Sequence, residues 1–368
     1  MRSLPPSLLS ACRYRQACLV AKRGYARRVP AKPTGSASSQ AGVATLLFGL
    51  GSGALVASYF VWPDPSRAAP TKPDALLSPT HFTPVQVTST EICPDPSTRL
   101  MTLAVPRQSI PSTDEAAFEP IWSIYIKDDD IQVERPFTPL EGIDSEGRIK
   151  LWIKKYEKGE VARWLHSKQV GDKIEIRGPI KTWSWKENEW DEIVMISGGT
   201  GITPFYQLIH KELLSQPAPT SKTRFTLLHS SRRPMELPPQ EMLQPLVAYS
   251  QAHPDKLRLS FFVDSSDGPS HPAVPSSSLT VGRIGRTAIE RVMNISTTKS
   301  WWQSLFHRAP AEDSTQGKKV MFLLCGPVPM VAAIAGPFGR NFSQGDVGGA
   351  LGELGYDRDS VWKLESVS

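Results

Sequence analysis

The stretch Ile196-Ser197-Gly198-Gly199-Thr200-Gly201-Ile202-Thr203-Pro204 decides the reading, because Cys325-Gly326-Pro327-Val328-Pro329-Met330 follows it about 120 residues later. The first run lies between an apolar strand pattern, Ile193–Ile196, and a helical one, Phe205–Leu214. A strand-to-helix turn built on Gly198, Gly199 and Gly201 carries no Cβ atoms there, so a ligand can lie against its backbone. The unpaired N–H groups and positive dipole end of the following helix suit a pyrophosphate. A Gly-rich turn by itself is weak evidence for a nucleotide. The second run closes another apolar strand, Val320–Leu324, and sets a thiol at the carboxyl end of a strand, where parallel sheets deliver their ligands. Together the two runs predict a bound pyridine nucleotide with Cys325 near its reactive end.

Upstream, from about 81 to 187, the pattern is one of short strands and turns: Thr83–Ser89, Thr98–Val105, Ile121–Ile126, Gln132–Pro136, Ile149–Ile153 and Lys173–Arg177. Such regular spacing predicts a closed antiparallel barrel. From about 190, strands alternate with helices: Ile193–Ile196, a helix from Pro204, Arg224–Leu228, a helix near Gln240–Ala252, Leu257–Val263, a helix near Thr287–Met293, then Val320–Leu324. That alternation predicts a doubly wound α/β domain over 190–368. Asp264–Ser278, rich in Ser and Pro, and Ile295–Lys319, with Trp301, Trp302 and Phe306, read as surface loops or insertions. The aromatic group is either a local staple or an acceptor-facing patch.

Arg135-Pro136-Phe137-Thr138-Pro139-Leu140 completes a set of ordered motifs. Alone it would also fit an edge strand with a Pro-rich turn. With the GGTGITP turn and the C-G-P-x-P-M run behind it, residues 80–368 resemble the ferredoxin-NADP reductase superfamily, and within it the cytochrome b5 reductase branch. The resemblance implies a Greek-key FAD barrel at 81–187 followed by an NAD(P)-binding domain at 190–368. It implies that Arg135 meets an FAD phosphate, that Phe137 stands against the isoalloxazine and that the Thr138 hydroxyl lies near its redox-active edge, with Pro139 beside it. Phe137 replaces the commoner Tyr and loses a hydroxyl contact. Lys154 and Tyr156 match a family I-K-x-Y run that helps to hold the cofactor. Gly159-Glu160-Val161-Ala162 stands where the family has G-x-M-S at a helix start cradling the pyrophosphate. Ala162 therefore lacks the usual hydroxyl, leaving backbone N–H groups and Arg163. On the nucleotide side the implied set is Gly198, Gly199, Thr200, Gly201, Thr203, Pro204, Gly326, Pro327 and Met330. Cys325 and Thr203 would flank the nicotinamide, and Trp362 would cover the flavin. Asp264, after the strand Leu257–Val263, favours NADH by disfavouring a 2′-phosphate. Ser231-Arg232-Arg233 pulls the other way, so NADPH stays as the alternative.

The net charge of +6 is unevenly placed. Arg2, Arg13, Arg15, Lys22, Arg23, Arg27, Arg28 and Lys32 precede Asp64 with no acidic residue among them; taking these 8 from 42 leaves 34 basic residues against 36 acidic. The body is therefore not a basic nucleic-acid binder. The Arg-rich, acid-free leader, 1–40, has the composition of a mitochondrial transit peptide and basic flank; a disordered basic tail is the competing reading. Ala41–Trp62 is 22 uncharged residues. At about 1.5 Å per residue they reach about 33 Å, enough to cross a hydrocarbon core of about 30 Å as a transmembrane helix. A buried core helix competes, but basic residues before the stretch, Tyr59 and Trp62 at its end, and the Pro-rich linker 63–80 favour the membrane. Its basic flank would stay in the matrix and the body would face the intermembrane space. Of four cysteines, Cys12 and Cys18 lie in the leader. The remaining pair, Cys93 and Cys325, is not expected to bridge, and no Cys/His cluster suggests a metal.

The expected activity is NAD(P)H oxidation through FAD to a haem acceptor. The leader, the span and the divergent 229–239 region resemble fungal mitochondrial flavoproteins that assist haem attachment to cytochrome c. Two alternatives stand beside it: a conventional NADH-cytochrome b5 reductase, and a flavin-retaining assembly factor with vestigial redox activity.

Overall fold

The computed structural model describes residues 69–111, 119–128, 132–157, 159–184, 186, 188–215, 221–293 and 318–365. The leader, the 41–62 stretch and the Trp301, Trp302 and Phe306 group lie outside them. Among the described residues no helix is long and apolar enough to cross a membrane. Two six-stranded sheets lie in one compact unit, Pro65–Ser368.

The first sheet holds β1 (Thr83–Ile92), β2 (Thr98–Ala104), β3 (Ile121–Lys127), β4 (Glu134–Phe137), β5 (Arg148–Lys154) and β6 (Lys173–Trp183). Its order is β4-β3-β6-β1-β2-β5, antiparallel throughout, with β6 between β3 and β1 as a Greek key requires. Alternation buries Val85, Val87, Leu103, Ile124, Ile126, Ile149, Leu151 and Ile174 inside. Helix α1 (Glu160–Ser167) closes one end with Val161, Ala162, Trp164 and Leu165. The expected closure is only partial. Among the described residues no ladder joins β4 to β5; one bond, Leu140 N–H to the Lys150 carbonyl at 2.8 Å, spans the gap. Pro139, which has no N–H to offer, sits where a longer β4 would continue. The stretch 70–80 does not behave as a spacer either. Lys72 N–H donates to Phe82 O, Leu77 N–H to Ser109 Oγ and Gly178 N–H to Ser78 O, so it is bound to the barrel.

The second sheet is parallel, in the order β10-β9-β8-β7-β11-β12. Its strands are β7 (Glu192–Gly198), β8 (Arg224–Ser231), β9 (Leu257–Val263), β10 (Leu279–Val281), β11 (Val320–Cys325) and β12 (Val361–Lys363). All seven residues of β7 are buried, as expected of a central strand covered on both faces. From β7 the chain steps one way to β10, then returns to lay β11 on the other side of β7. The crevice at that reversal is where open α/β sheets bind ligands. Helices α2 (Thr203–Ile209, continued by a π-turn, His210–Leu214), α3 (Gln240–Ala252), α4 (Arg286–Val292), α5 (Val328–Ala335) and α6 (Gly349–Glu353) flank the sheet. One core joins the sheets: Ile121, Leu140 and Trp183 of the barrel cluster with Met195, Phe205 and Leu208. The 264–278 segment is less superficial than its composition suggests, because His271 and Val274 are buried.

Lys363 is a buried cation on β12. Its Nζ donates to the carbonyls of Gly336, Pro337 and Asp346 at 3.2, 2.8 and 3.2 Å. One ammonium thus clasps both ends of the 336–346 loop. Lys363→Met, which keeps the chain length and strands three carbonyls, should lower stability by about 2–4 kcal/mol. Urea unfolding measures this, and an unchanged midpoint would show that desolvation of the ammonium cancels its bonds.

Candidate functional site

A cavity of about 390 Å³ opens at the strand reversal, walled by both sheets. From the barrel come Arg135, Phe137, Thr138, Lys154, Tyr156 and the start of α1 at Gly159, Val161 and Ala162. From the parallel sheet come Thr200, Gly201, Thr203, Pro204, Cys325 and Trp362. Residues far apart in sequence therefore share one wall-to-wall space. Pro139 is buried beside it, Gly199 opens the turn where an added Cβ would lie 3.8 Å from the Tyr156 hydroxyl, Gly198, Gly326, Pro327 and Met330 lie behind the turn, and Asp264 lies at the end of β9.

Arg135 is placed to meet an anion. Its neighbour Glu134 is neutralised by Arg177, at 3.0 Å from Nε and 2.8 Å from the second guanidinium nitrogen. Arg135 bonds only the Glu134 carbonyl, at 2.8 Å, and has no carboxylate partner among the described residues. The N-cap of α1, Gly159, supplies no side-chain bond to the first-turn N–H groups, and Ala162 adds no hydroxyl. A free guanidinium and an uncapped eight-residue helix facing one cavity fit a dinucleotide phosphate. Trp152 also lines the cavity, and its indole Nε1 is buried with no partner among the described residues. These features accept a flavin dinucleotide.

Lys154 departs from its expected freedom. Its Nζ lies 3.3 Å from Asp95 and 3.0 Å from Glu236, with 8% of the side chain exposed. Burial alone would raise the Asp95 carboxyl, but bonds from Ser97 and the Lys154 charge hold it below the ordinary carboxylate range. Glu236 is shared with Arg232, at 3.0 Å. Lys154 thus lines the cavity with its stem while its charge ties barrel to parallel sheet. Tyr156 reaches across as well, its OH 3.5 Å from Thr200 Oγ1.

The glycines of the turn answer to packing more than to a ligand. A Cβ at 201 would lie 2.3 Å from the Cys325 carbonyl oxygen, and one at 198 would lie 2.7 Å from Met330 Sδ. Met330 is therefore the filler beneath the turn, and it also accepts from Ser230 Oγ at 3.7 Å. Thr203 spends its hydroxyl on the Thr200 carbonyl, at 3.0 Å, which fixes the turn. Burial pushes the Cys325 thiol up to about 12, so it stands in the wall as a neutral S–H. Behind it, Ser197 Oγ lies 2.9 Å from His229 Nδ1, and His229 Nε2 lies 3.1 Å from Ser231 Oγ. Ser231 donates onward to the Glu236 carbonyl. That chain assigns the proton to Nε2. Burial, reinforced by the Lys154 charge, takes His229 down to about 3, so the ring is neutral.

Sequence reasoning missed Tyr125, Trp152, Phe342 and Gln344, which also line the cavity. Tyr125 was readable as a position on the outer face of β3, shared with Ser123 and opposite the barrel-core residues Ile124 and Ile126. Phe342 and Gln344 belong to the clasped 336–346 loop, whose path follows from Lys363 and carries no local motif. Phe342 is 56% exposed and takes a φ of +55°, a left-handed backbone rare for an aromatic residue. Asp264 is not brought to the cavity. It pairs with Arg283 at 3.4 Å on the outer part of the strand-end surface. Cys93 and Cys325 are separate buried thiols.

The comparisons agree with this geometry. Residues 118–185 match the oxidoreductase FAD-binding domain, and residues 195–336 match the oxidoreductase NAD-binding domain. The NADH-cytochrome b5 reductase 2 of Scheffersomyces stipitis is 31% identical over 232 residues, 63% of this chain and 67% of that one. The protein of the same name from Kluyveromyces lactis is 30% identical over 232 residues, again 63% of this chain and 67% of its own. Among solved structures, the cytochrome b5 reductase domain of Ulva prolifera nitrate reductase shares the fold, with a TM-score of 0.55 and 20% identity over 78% of this chain and 99% of that one. With the Arg135 wall and the Cys325 wall facing one cavity, and with these relatives, the chain belongs to the NADH-cytochrome b5 reductase family of FAD- and NAD-binding oxidoreductases.

Proposed function

We propose that this chain is a membrane-anchored mitochondrial reductase that takes electrons from NADH through FAD to a haem acceptor, in support of haem attachment to cytochrome c. The observation that carries the redox part is the single cavity in which Arg135–Thr138 faces Thr200–Thr203 and Cys325. FAD, when bound, accepts a hydride and releases electrons singly, chemistry that no side chain here supplies. The chain's own contribution is binding, orientation and exclusion of water. Arg135 and the first-turn N–H groups of α1 hold phosphate. Phe137 forms a wall for the ring, and Thr138 presents a hydroxyl at its edge. Cys325 and the Thr203-braced turn hold the nicotinamide against that edge, and Trp362, from the strand beside β11, covers the flavin on the nicotinamide-facing side.

NADH is favoured over NADPH on the charge pairing at the strand ends. Arg232 is bound to Glu236 and Arg283 to Asp264, which leaves Arg233 as the guanidinium there without a carboxylate partner among the described residues. The membrane anchor, the mitochondrial address and the outward-facing body rest on the acid-free leader and the uncharged 41–62 stretch. The cytochrome c role rests on those segments and on the His229-to-Pro239 sequence. A second reading, reduction of cytochrome b5, is favoured by the names of the relatives. A third, a flavin-retaining assembly factor with vestigial turnover, is compatible with Ala162. Turnover against a range of haem acceptors separates the three.

The experiment on the cofactor site is Arg135→Ala in residues 64–368. Loss of one charged phosphate contact should weaken FAD retention by about 1.5–3 kcal/mol while the apoprotein melts near the parent temperature. Equal FAD affinity in the two proteins would remove Arg135 from the site. Cys325→Ala should keep its FAD and slow anaerobic reduction by NADH about tenfold through a loosened wall. Because the Cys325 thiol loses its proton only near pH 12, the reduction rate should show no limb from this residue between pH 6 and 10. A limb there that vanishes in Cys325→Ala would contradict a neutral thiol. NADH should reduce the protein faster than NADPH at equal concentration, and the reverse order would shift the weight to Arg233. For address and acceptor, protease added after rupture of the outer membrane should digest the body, and deletion should lower holocytochrome c. Protection from protease, or normal holocytochrome c with fast reduction of cytochrome b5, would favour the second reading.

A further inference from the structure

Gln207 places a primary amide on a buried helix. Every residue of α2 is buried, and Gln207 is 3% exposed. Its neighbours Phe205, Leu208 and Ile209 face apolar core. A primary amide in such a place is costly unless its groups are paired. Both ends are. Oε1 accepts from the Trp122 backbone N–H at 2.8 Å, and Nε2 donates to the Pro139 carbonyl at 2.8 Å.

The two partners are not arbitrary. In the β3–β4 ladder Ile124 pairs with Phe137. Continuing that antiparallel register by two residues sets Trp122 opposite Pro139. The ladder has ended by then, since β4 stops at Phe137. Instead of joining directly, the Trp122 N–H and the Pro139 carbonyl are bridged by a side-chain amide with the donor and acceptor set of a peptide group. The parallel sheet's helix thus supplies a substitute peptide unit to the barrel, at the strand end that carries Phe137 and Thr138. Thr203, which braces the nucleotide turn, lies four residues earlier on α2 and so on the same helix face as Gln207.

We propose that Gln207 is a positioning residue for the redox step: its amide locks the Phe137–Thr138 strand end to the helix of the nucleotide turn and so sets the spacing between the two halves of the cavity. This rests on the assignment of FAD and nicotinamide to that cavity. A buried bidentate bond fixes distance more tightly than apolar packing, which tolerates sliding. A displacement of about 1 Å between reacting centres can cost about 100-fold in rate.

The test uses FAD-loaded protein and Gln207→Leu, which keeps the bulk and loses both bonds. The expected result is near-normal FAD content and NADH affinity within about threefold, with flavin reduction slowed about 10–100-fold. The long-wavelength absorption from nicotinamide stacked on flavin should fade, and the Trp122 amide should exchange faster even without cofactor. Gln207→Glu gives a second reading should the leucine variant fail to fold. A buried carboxyl with a raised pKa regains a donor toward Pro139 when protonated. Its rate relative to the parent should therefore recover as pH falls. The parent profile is recorded alongside, because Glu119, His210 and Lys211 line the small cavity that Gln207 borders, and His210 lies 3.7 Å from Glu141. Parent-like reduction and stacking absorbance in Gln207→Leu, or a pH-independent ratio in Gln207→Glu, would overturn the proposal. If the unsubstituted protein takes up no FAD, the cavity assignment falls and this proposal with it; normal loading with indifferent Gln207 variants sinks this proposal alone.

Discussion

The backbone of β11 comes so close to the turn after β7 that no side chain fits between them. The Cys325 carbonyl oxygen occupies the place a Cβ at 201 would need, and Met330 occupies the place of one at 198. This contact brings together the ends of two neighbouring parallel strands whose connections leave in opposite directions. The crevice between them is a consequence of strand order, and the contact fixes its floor. Cys325, Thr200 and Thr203 are presented to the barrel by that floor. The α2 helix leaves from it and packs Phe205 and Leu208 into the joint core, which holds the barrel wall opposite.

Charge is distributed around the crevice so that few groups are left over. Glu134 is matched by Arg177, Lys154 by Asp95 and Glu236, Arg283 by Asp264. Against that background an unmatched Arg135 stands out as the cation kept for an outside anion. The Lys154 cluster is better described as a joint than as a ligand set, since one of its carboxylates comes from each sheet's side of the molecule. Buried pairs of this kind add little net stability, yet removing one member leaves a stranded charge and is strongly destabilising. They define how the two parts meet.

The sequence was most legible where periodicity was strong. The limits of α3 and β9 coincide with the helix read at Gln240–Ala252 and the strand read at Leu257–Val263, because each is bounded by turn residues and has a clear apolar pattern. The β-barrel strands were found with shifted ends: Thr98–Val105 overran β2 by one residue, Gln132–Pro136 began before β4, and β6 runs on from the read Lys173–Arg177 to Trp183. Short elements that exist only by tertiary pairing, β10 and β12, were not legible, since three residues carry no periodicity. The glycines of the turn were identified for the right places and assigned to ligand clearance, whereas the contacts of 198 and 201 are with protein. Lys154 was read as a cofactor cation because its partners, Asp95 and Glu236, are 59 and 82 residues away. Gln207 gave one local signal, an amide within a largely apolar helix, which has no meaning until the opposing strands are known.

The imidazole behind the nucleotide turn also sets how this molecule meets acid. His229 is buried and neutral, with its folded pKa near 3; His166 and His271 are likewise lowered by burial. An unfolded chain takes up a proton on each of these rings below about pH 6.5, whereas the folded chain declines it. Stability is therefore whole above that pH and drains away as pH falls, by up to about 1.4 kcal/mol per unit for each ring until its folded pKa is reached. For His229 that penalty extends furthest. The proton, when finally forced on, would enter the bond to Ser197 and so the strand end beneath the glycine turn. Acidification would thus reach the nucleotide half from within, at the strand end beneath the turn, and the barrel through His166, whose ring nitrogen meets the Ile153 carbonyl at 3.3 Å.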